Sequence, residues 1–140
     1  MSAESYAVRL QIPAKAEYIT LGRLALAGLS TLVDLSEETI ADLKLALTEA
    51  CSNSVRHAYD NGRGGTVDIV YELHPDRMVI EVSDEGRGFI ADSARSEPEE
   101  LTEAGLGIEI IRALSDDVQM SESSAGQGSR LRMVKLLGAR

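Results

Sequence analysis

The sequence predicts an α+β fold, a two-layer sandwich in which a mixed, mainly antiparallel sheet is covered on one face by helices. Three observations carry this. The alternating segment Tyr6–Ile12 is followed by a long helical pattern before any further strand. Thr66–Leu73 and Arg77–Ser83, both rich in Val and Ile, are separated only by His74-Pro75-Asp76, which marks an antiparallel hairpin. A second pair, Asp117–Glu122 and Ser129–Leu136, closes the chain. Strands grouped in this way leave the helices to gather on one face. The strict β-α alternation of a doubly wound dinucleotide fold is absent.

Taken in order, Pro13 ends the first strand, and the pattern from Ala14 to about Val33 is helical, with Ile19, Leu24 or Ala25, and Leu29 returning on one side. Ser36 is a good N-cap for a second helix, and Glu37 and Glu38 suit its positive end. That helix runs to Asp60-Asn61-Gly62, where a glycine-rich break precedes the hairpin. His74, in the hairpin turn, reads as plain surface. Asp84-Glu85-Gly86-Arg87-Gly88-Phe89 follows, then a polar, acidic stretch containing Pro98. A loop of that length in a compact domain is usually a lid or a binding loop; we place the lid at about 90–104. Gly105-Leu106-Gly107 ends it and opens a helix, Ile108–Leu114. With no repeat or linker, residues 1–140 read as one domain.

Composition narrows the function. The chain is 44% hydrophobic and 26% charged, which is globular, and the net charge of −9 argues against binding a nucleic-acid backbone directly. A small anionic ligand is not excluded, because backbone amides and a metal ion can hold one. The single cysteine, Cys51, permits no internal disulfide and reads as a small buried hydrophobe. MSAESYAVRL has no basic n-region, and no stretch approaches a membrane span, so the expected compartment is the cytoplasm, without membrane association.

The helix containing LKLALTEACSNSVRHAY has two faces. Ile40, Leu43, Leu47, Ala50, Cys51, Ser54 and Ala58 form an apolar stripe, while Glu49, Asn53 and His57 stack four residues apart along another line. Alone, such a polar stripe is most often a solvated face. Two glycine clusters change its meaning. Gly86 and Gly88 come off a strand led by Asp84, and Gly105 and Gly107 open a helix, where backbone amides can close on an anion. Gly126-Gln127-Gly128-Ser129 precedes the final strand. Neither a Walker A motif nor a Rossmann fingerprint is present.

In this order, the acid–amide helix, DEGRGF, the lid, GLG and the last glycine turn resemble the nucleotide-binding domain of the GHKL (Bergerat-fold) ATPase superfamily, which includes gyrase, histidine kinases and MutL. Within it, the chain is similar to the anti-sigma-factor serine/threonine kinases of bacteria. The resemblance covers essentially the whole chain and is closest in LTEACSNSVRHAY and DEGRGF.

The resemblance implies a role for each matching position. Asn53 would ligate the Mg²⁺ that bridges the phosphates of ATP, and an amide oxygen suits that hard cation. Glu49 would be the general base for the attacking hydroxyl. His57 would lie near the phosphates or order the lid. Asp84 would accept a hydrogen bond from the exocyclic amine of adenine. Gly86 and Gly88 would pass beneath the base, and Gly105 and Gly107 would offer amides to the phosphates. Leu106 and Ile108 would anchor the lid's end, and Ser129 would close the adenine side. Arg23, which by itself reads as a snorkelling surface residue, matches an arginine that the family uses for partner contacts. Arg95 is the one basic residue of an otherwise acidic lid.

The function implied is an anti-sigma factor and Mg-ATP-dependent protein kinase. It would sequester an RNA polymerase sigma factor and phosphorylate an anti-sigma antagonist, acting as a homodimer. The alternative is a non-catalytic ATP-binding interaction module. A histidine-kinase catalytic domain is disfavoured, because nothing resembles a phosphoacceptor helix pair.

Overall fold

The computed structural model describes residues 5–33, 35–58, 65–84, 107–122 and 128–137. Strand β1 is Tyr6–Pro13, followed by a short 3-10 turn at Ala16–Tyr18 and helix α1 at Ile19–Leu29. Helix α2 spans Glu37–Ala58, and strands β2 and β3 span Thr66–Leu73 and Arg77–Asp84. Helix α3 covers 107–114, and β4 (Asp117–Glu122) and β5 (Ser129–Leu136) complete the order. The sheet runs β1-β2-β3-β5-β4, and every pairing is antiparallel. The α+β two-layer architecture is the one expected, and the antiparallel component accounts for all of the described strands.

Strand alternation sorts side chains onto two faces. Val67, Ile69, Tyr71, Met78, Ile80, Val82, Leu131 and Met133 point into one core with Leu43, Leu47, Ala50 and Cys51 of α2. Each such aliphatic side chain, taken fully out of water, contributes about 1.5–3 kcal/mol before entropy is charged against it. The opposite face carries Asp68, Glu72, Glu81, Arg130 and Arg132, with the buried Val79 beneath them.

Helix α1 differs from its sequence reading in two ways. It starts after the 3-10 turn and ends at Leu29, because Ser30 and Thr31 donate their hydroxyls to the carbonyls of Ala27 (2.6 Å) and Gly28 (2.7 Å). Such local bonds give the last carbonyls partners outside the helix ladder. The buried face is Ile19, Gly22, Leu26 and Leu29; of the two alternatives, Ala25 packs partly buried on the core, while Leu24 is 61% exposed. Gly22 sets this rotation. A Cβ there would stand 3.2 Å from Ile69 Cδ1, and the Gly22 carbonyl accepts a 2.7 Å hydrogen bond from the Tyr71 hydroxyl. The helix turns its narrowest side to the sheet, which rotates Leu24 outward. Burial raises the pKa of the Tyr71 phenol above its ordinary value, so it remains a donor.

Helix α2 is capped as expected, with the Thr39 amide donating to Ser36 Oγ at 3.1 Å. Its stripe Leu43, Leu47, Ala50, Cys51 and Ser54 is buried, joined by Ala46; Ile40 is half-buried. Burial pushes the Cys51 thiol up to about 12, against the opposing influence of the Arg23 charge, so the thiolate is not formed near neutrality. His74 is not plain surface. It is half-buried, with Nε2 3.0 Å from Glu72 and Nδ1 2.8 Å from Ser5, and it ties the residue before β1 to β2.

Candidate functional site

The helix-covered face of the sheet carries Lys135 near one end and is then apolar up to the opposite end, where Asp84 and Ser129 interrupt it. Both are buried, at 3% and 2% exposure. The sequence folds this way because β3 and β5 pair with Ser83 opposite Arg130, bringing the end of β3 beside the start of β5. Gly128 enters β5 at φ 94°, a left-handed conformation that side chains resist. Ser129 Oγ then donates to Asp84 Oδ2 at 2.9 Å. The result is a buried carboxylate of fixed orientation at a strand end.

The position of α2 follows from the other end of β5. Lys135 Nζ is 3.5 Å from Asp42 Oδ2, near the start of the helix. From Lys135 back to Ser129 is about 20 Å of strand. From Asp42 forward to Asn53 is about 16 Å of helix. Helix α2 packs on β3 and β5, so its second half runs toward the Asp84–Ser129 end. It brings Glu49, half-buried, and Asn53, 5% exposed, to the same end of the molecule.

Helix α3 completes the group. Gly107, its first described residue, is buried against both side chains. A Cβ at that position would stand 3.3 Å from Asn53 Nδ2 and 3.3 Å from Glu49 Oε1. A side chain there would make Glu49 and Asn53 give way by a few tenths of an ångström, and glycine lets α3 lie this close without that shift. Ile108 packs half-buried on the core, and Ile111 is fully buried. The amide side chain of Asn53 makes no hydrogen bond among the described residues. A buried amide in that condition costs about 1–3 kcal/mol, and a ligand or ion that engages it removes the cost. Among the described residues no cluster of three or more His, Cys, Asp or Glu could hold a metal by protein ligands alone. The donor set of one amide oxygen beside one carboxylate fits a hard cation that keeps its waters and takes further oxygens from phosphates.

Arg23 lies on the other side of α2. Its Nη1 donates to Thr48 Oγ1 and its Nη2 to Thr20 Oγ1, each at 3.1 Å, and Thr48 in turn donates to the Lys44 carbonyl at 2.8 Å. Among the described residues no carboxylate pairs with Arg23. Sequence reading missed Thr48, although it directly precedes Glu49. It also missed Lys135, which its place in the last strand marked as an inward-facing lysine. The expected site positions Gly86, Gly88, Gly105 and Leu106, the lid with Arg95, and the side chain of His57 lie outside the described residues.

A two-layer α+β fold with a buried Asp at a strand end, and a helix whose glycine lies against the acid and the amide of α2, fits the class of ATP-binding domains with the Bergerat fold. Comparison with known proteins agrees. A family model described as the histidine kinase-like ATPase domain matches residues 12–135. The serine-protein kinase RsbW of Listeria innocua is 38% identical over 122 residues, covering 81% of this chain and 78% of that protein. RsbW of Halalkalibacterium halodurans is 38% identical over 139 residues, covering 93% and 83%. A crystal structure of the RsbU and RsbW domains of a Mycobacterium tuberculosis protein superposes with a TM-score of 0.68 at 18% identity. It covers 96% of this chain and 33% of that longer one, a likeness of fold. The chain belongs to the histidine kinase-like (GHKL) ATPase family, on the branch of the RsbW serine-protein kinases.

Proposed function

We propose that the chain is an anti-sigma factor and an ATP-dependent serine/threonine protein kinase, built as a single domain over residues 1–140. In this reading it sequesters an RNA polymerase sigma factor and phosphorylates the antagonist that competes for it. The observation that carries the reading is the meeting of Gly107 with Glu49 and Asn53, which puts a base, an amide and the backbone of a glycine around one point.

Asp84 accepts from the exocyclic amine of adenine, a contact guanine cannot make because its carbonyl oxygen is not a donor. Ser129 keeps that carboxylate oriented, and Gly86 and Gly88 let the chain pass under the base. Asn53 would hold a Mg²⁺ ion, which would supply charge neutralisation at the phosphates. Amides of Gly105 and Gly107 add to this, with Leu106 and Ile108 fixing the end of the lid. His57 stands near the phosphates or the lid. Glu49 takes the proton from the acceptor hydroxyl, and phosphoryl transfer asks for little more than position and charge.

Arg23, held between two hydroxyls with its charge unpaired among the described residues, is the contact for protein partners. The chain works as a homodimer in the cytoplasm, without direct contact to nucleic acid or membrane. No helix among the described residues is long and apolar enough to cross a bilayer.

The test is transfer of label from γ-labelled ATP to a candidate antagonist. Glu49→Ala should abolish transfer and leave ATP binding nearly intact. Binding without transfer by the unaltered chain would instead mark a non-catalytic ATP-dependent interaction module.

A further inference from the structure

Lys135 is the one residue of β5 that carries a charge toward the helices. Met133 and Leu131, on the same face, are core residues. A methionine there would avoid the desolvation of an ammonium group. The structure uses the charge instead. Lys135 Nζ donates to the carbonyl of Leu114 at 3.0 Å, at the C-terminal end of α3, and lies 3.5 Å from Asp42 Oδ2 on α2. A cation at a helix C-terminus meets the negative end of its dipole and satisfies a carbonyl that has no partner within the helix. Two neighbouring bonds hold the following turn to the same strand: the Asp116 amide donates to the Val134 carbonyl at 2.8 Å, and the Leu136 amide to Asp116 Oδ2 at 2.6 Å.

We propose that Lys135, with Asp42, is a positioning residue for nucleotide binding: it clamps the far end of α3 to α2 so that the near end stays seated against Glu49 and Asn53. This rests on the nucleotide reading above. Gly107 and Leu114 are about 10 Å apart along α3, so a tilt of about 5° at Leu114 moves Gly107 by about 1 Å. Gly107 lies close on Glu49 and Asn53, since a methyl group there would be 3.3 Å from each, and a shift of this size changes how the backbone of α3 meets both side chains. Displacements of this size at a reacting site cost up to about a hundredfold. Lys135 touches no part of the site itself, and it acts through the helix.

The test is Lys135→Met, which keeps the stem and removes the donor, titrated calorimetrically with Mg-ATP well below its melting temperature. Affinity should fall roughly tenfold. Lys135→Arg, which restores a cationic donor, should recover most of the loss. Asp42→Asn should have a smaller effect, because the shorter bond to Leu114 remains. If Lys135→Met does not fold, the measurement is read on Lys135→Gln, which is polar but too short to reach. A folded Lys135→Met or Lys135→Gln that melts earlier yet binds Mg-ATP like the unaltered chain overturns the clamp, because the lysine then serves stability alone. An unaltered chain that binds no Mg-ATP is a different failure; it overturns the nucleotide reading and the clamp with it.

Discussion

The two faces of the sheet handle polar groups in opposite ways. On the open face, Glu72 accepts from Arg132 at 3.0 and 3.4 Å and meets His74 at 3.0 Å, while Glu81 takes Arg130 at 2.8 Å and Arg132 at 3.6 Å. Every member has an opposite number within the network. On the helix-covered face the polar groups are fewer and deeper. Asp84 and Ser129 share a bond, Glu49 faces a glycine, and the buried Asn53 amide finds no partner among the described residues. A protein selected for stability alone would complete the second set as it has completed the first. On the proposed function, the difference separates polar groups that hold the fold from polar groups that meet the nucleotide.

Substitutions of the polar groups on the inner face should therefore change ligand binding more than stability, and the reverse should hold for the polar groups outside. The largest effect is expected at Gly107. Gly107→Val drives a branched side chain into Asn53 and Glu49, and Mg-ATP affinity should fall by about a hundredfold or more. Arg132→Met on the open face, titrated in parallel, should bind Mg-ATP normally. Equal losses in the two variants would erase the distinction between the faces.

Asn53→Ala comes next and gives the sharper test. Mg-ATP affinity should drop at least tenfold, as expected where one ligand to the cation is lost. In the absence of nucleotide the melting temperature should hold or rise, because the substitution removes a buried amide whose unmet bonds cost about 1–3 kcal/mol. A fall of several degrees in thermal denaturation would show that Asn53 has a structural partner after all. Ser129→Ala should follow, with a several-fold loss of ATP affinity and about 1 kcal/mol of stability, the ordinary worth of one buried hydrogen bond. Binding of ATP and GTP compared side by side would show whether the lost bond relaxes the choice of base.

Much of this contrast was legible in the sequence, and for physical reasons. Period-two and three-to-four patterns report on long elements, so β2, β3, β4, β5 and the buried stripe of α2 were readable nearly to the residue. Asn53 and Asp84 were singled out by the order of motifs, and the structure adds that both side chains are buried. The rotation of α1 was not. It depends on Gly22 meeting Ile69 and Tyr71, a contact between residues about fifty positions apart, and periodicity alone left Leu24 and Ala25 as alternatives. His74 looked like turn surface because its partners, Glu72 and Ser5, meet only when β1 pairs with β2. The Thr48 and Lys135 contacts are tertiary in the same sense, since neither hydroxyl nor ammonium has a sequence signature for what it will touch.

The smallest effect belongs to the open face, and its pH dependence has a definite sign. Hydrogen bonds from Arg132 and then His74 hold the Glu72 carboxyl below its ordinary value of 4.5. A carboxylate with a depressed folded-state pKa adds stability above its unfolded value and loses it as pH falls through the folded one. Glu72→Gln should thus cost about 1 kcal/mol at neutral pH, a modest figure because the pair is partly exposed and screened. The difference between variant and unaltered chain should be flat at higher pH and close only on the acid side of 4.5. Denaturant titrations at a series of pH values would read it, with Mg-ATP affinity unchanged at neutral pH. A stability difference that persisted in acid would mean that Glu72 contributes shape to the sheet and not charge. The open face would then owe its order to Val79 and the strands beneath it, not to the ion pairs above.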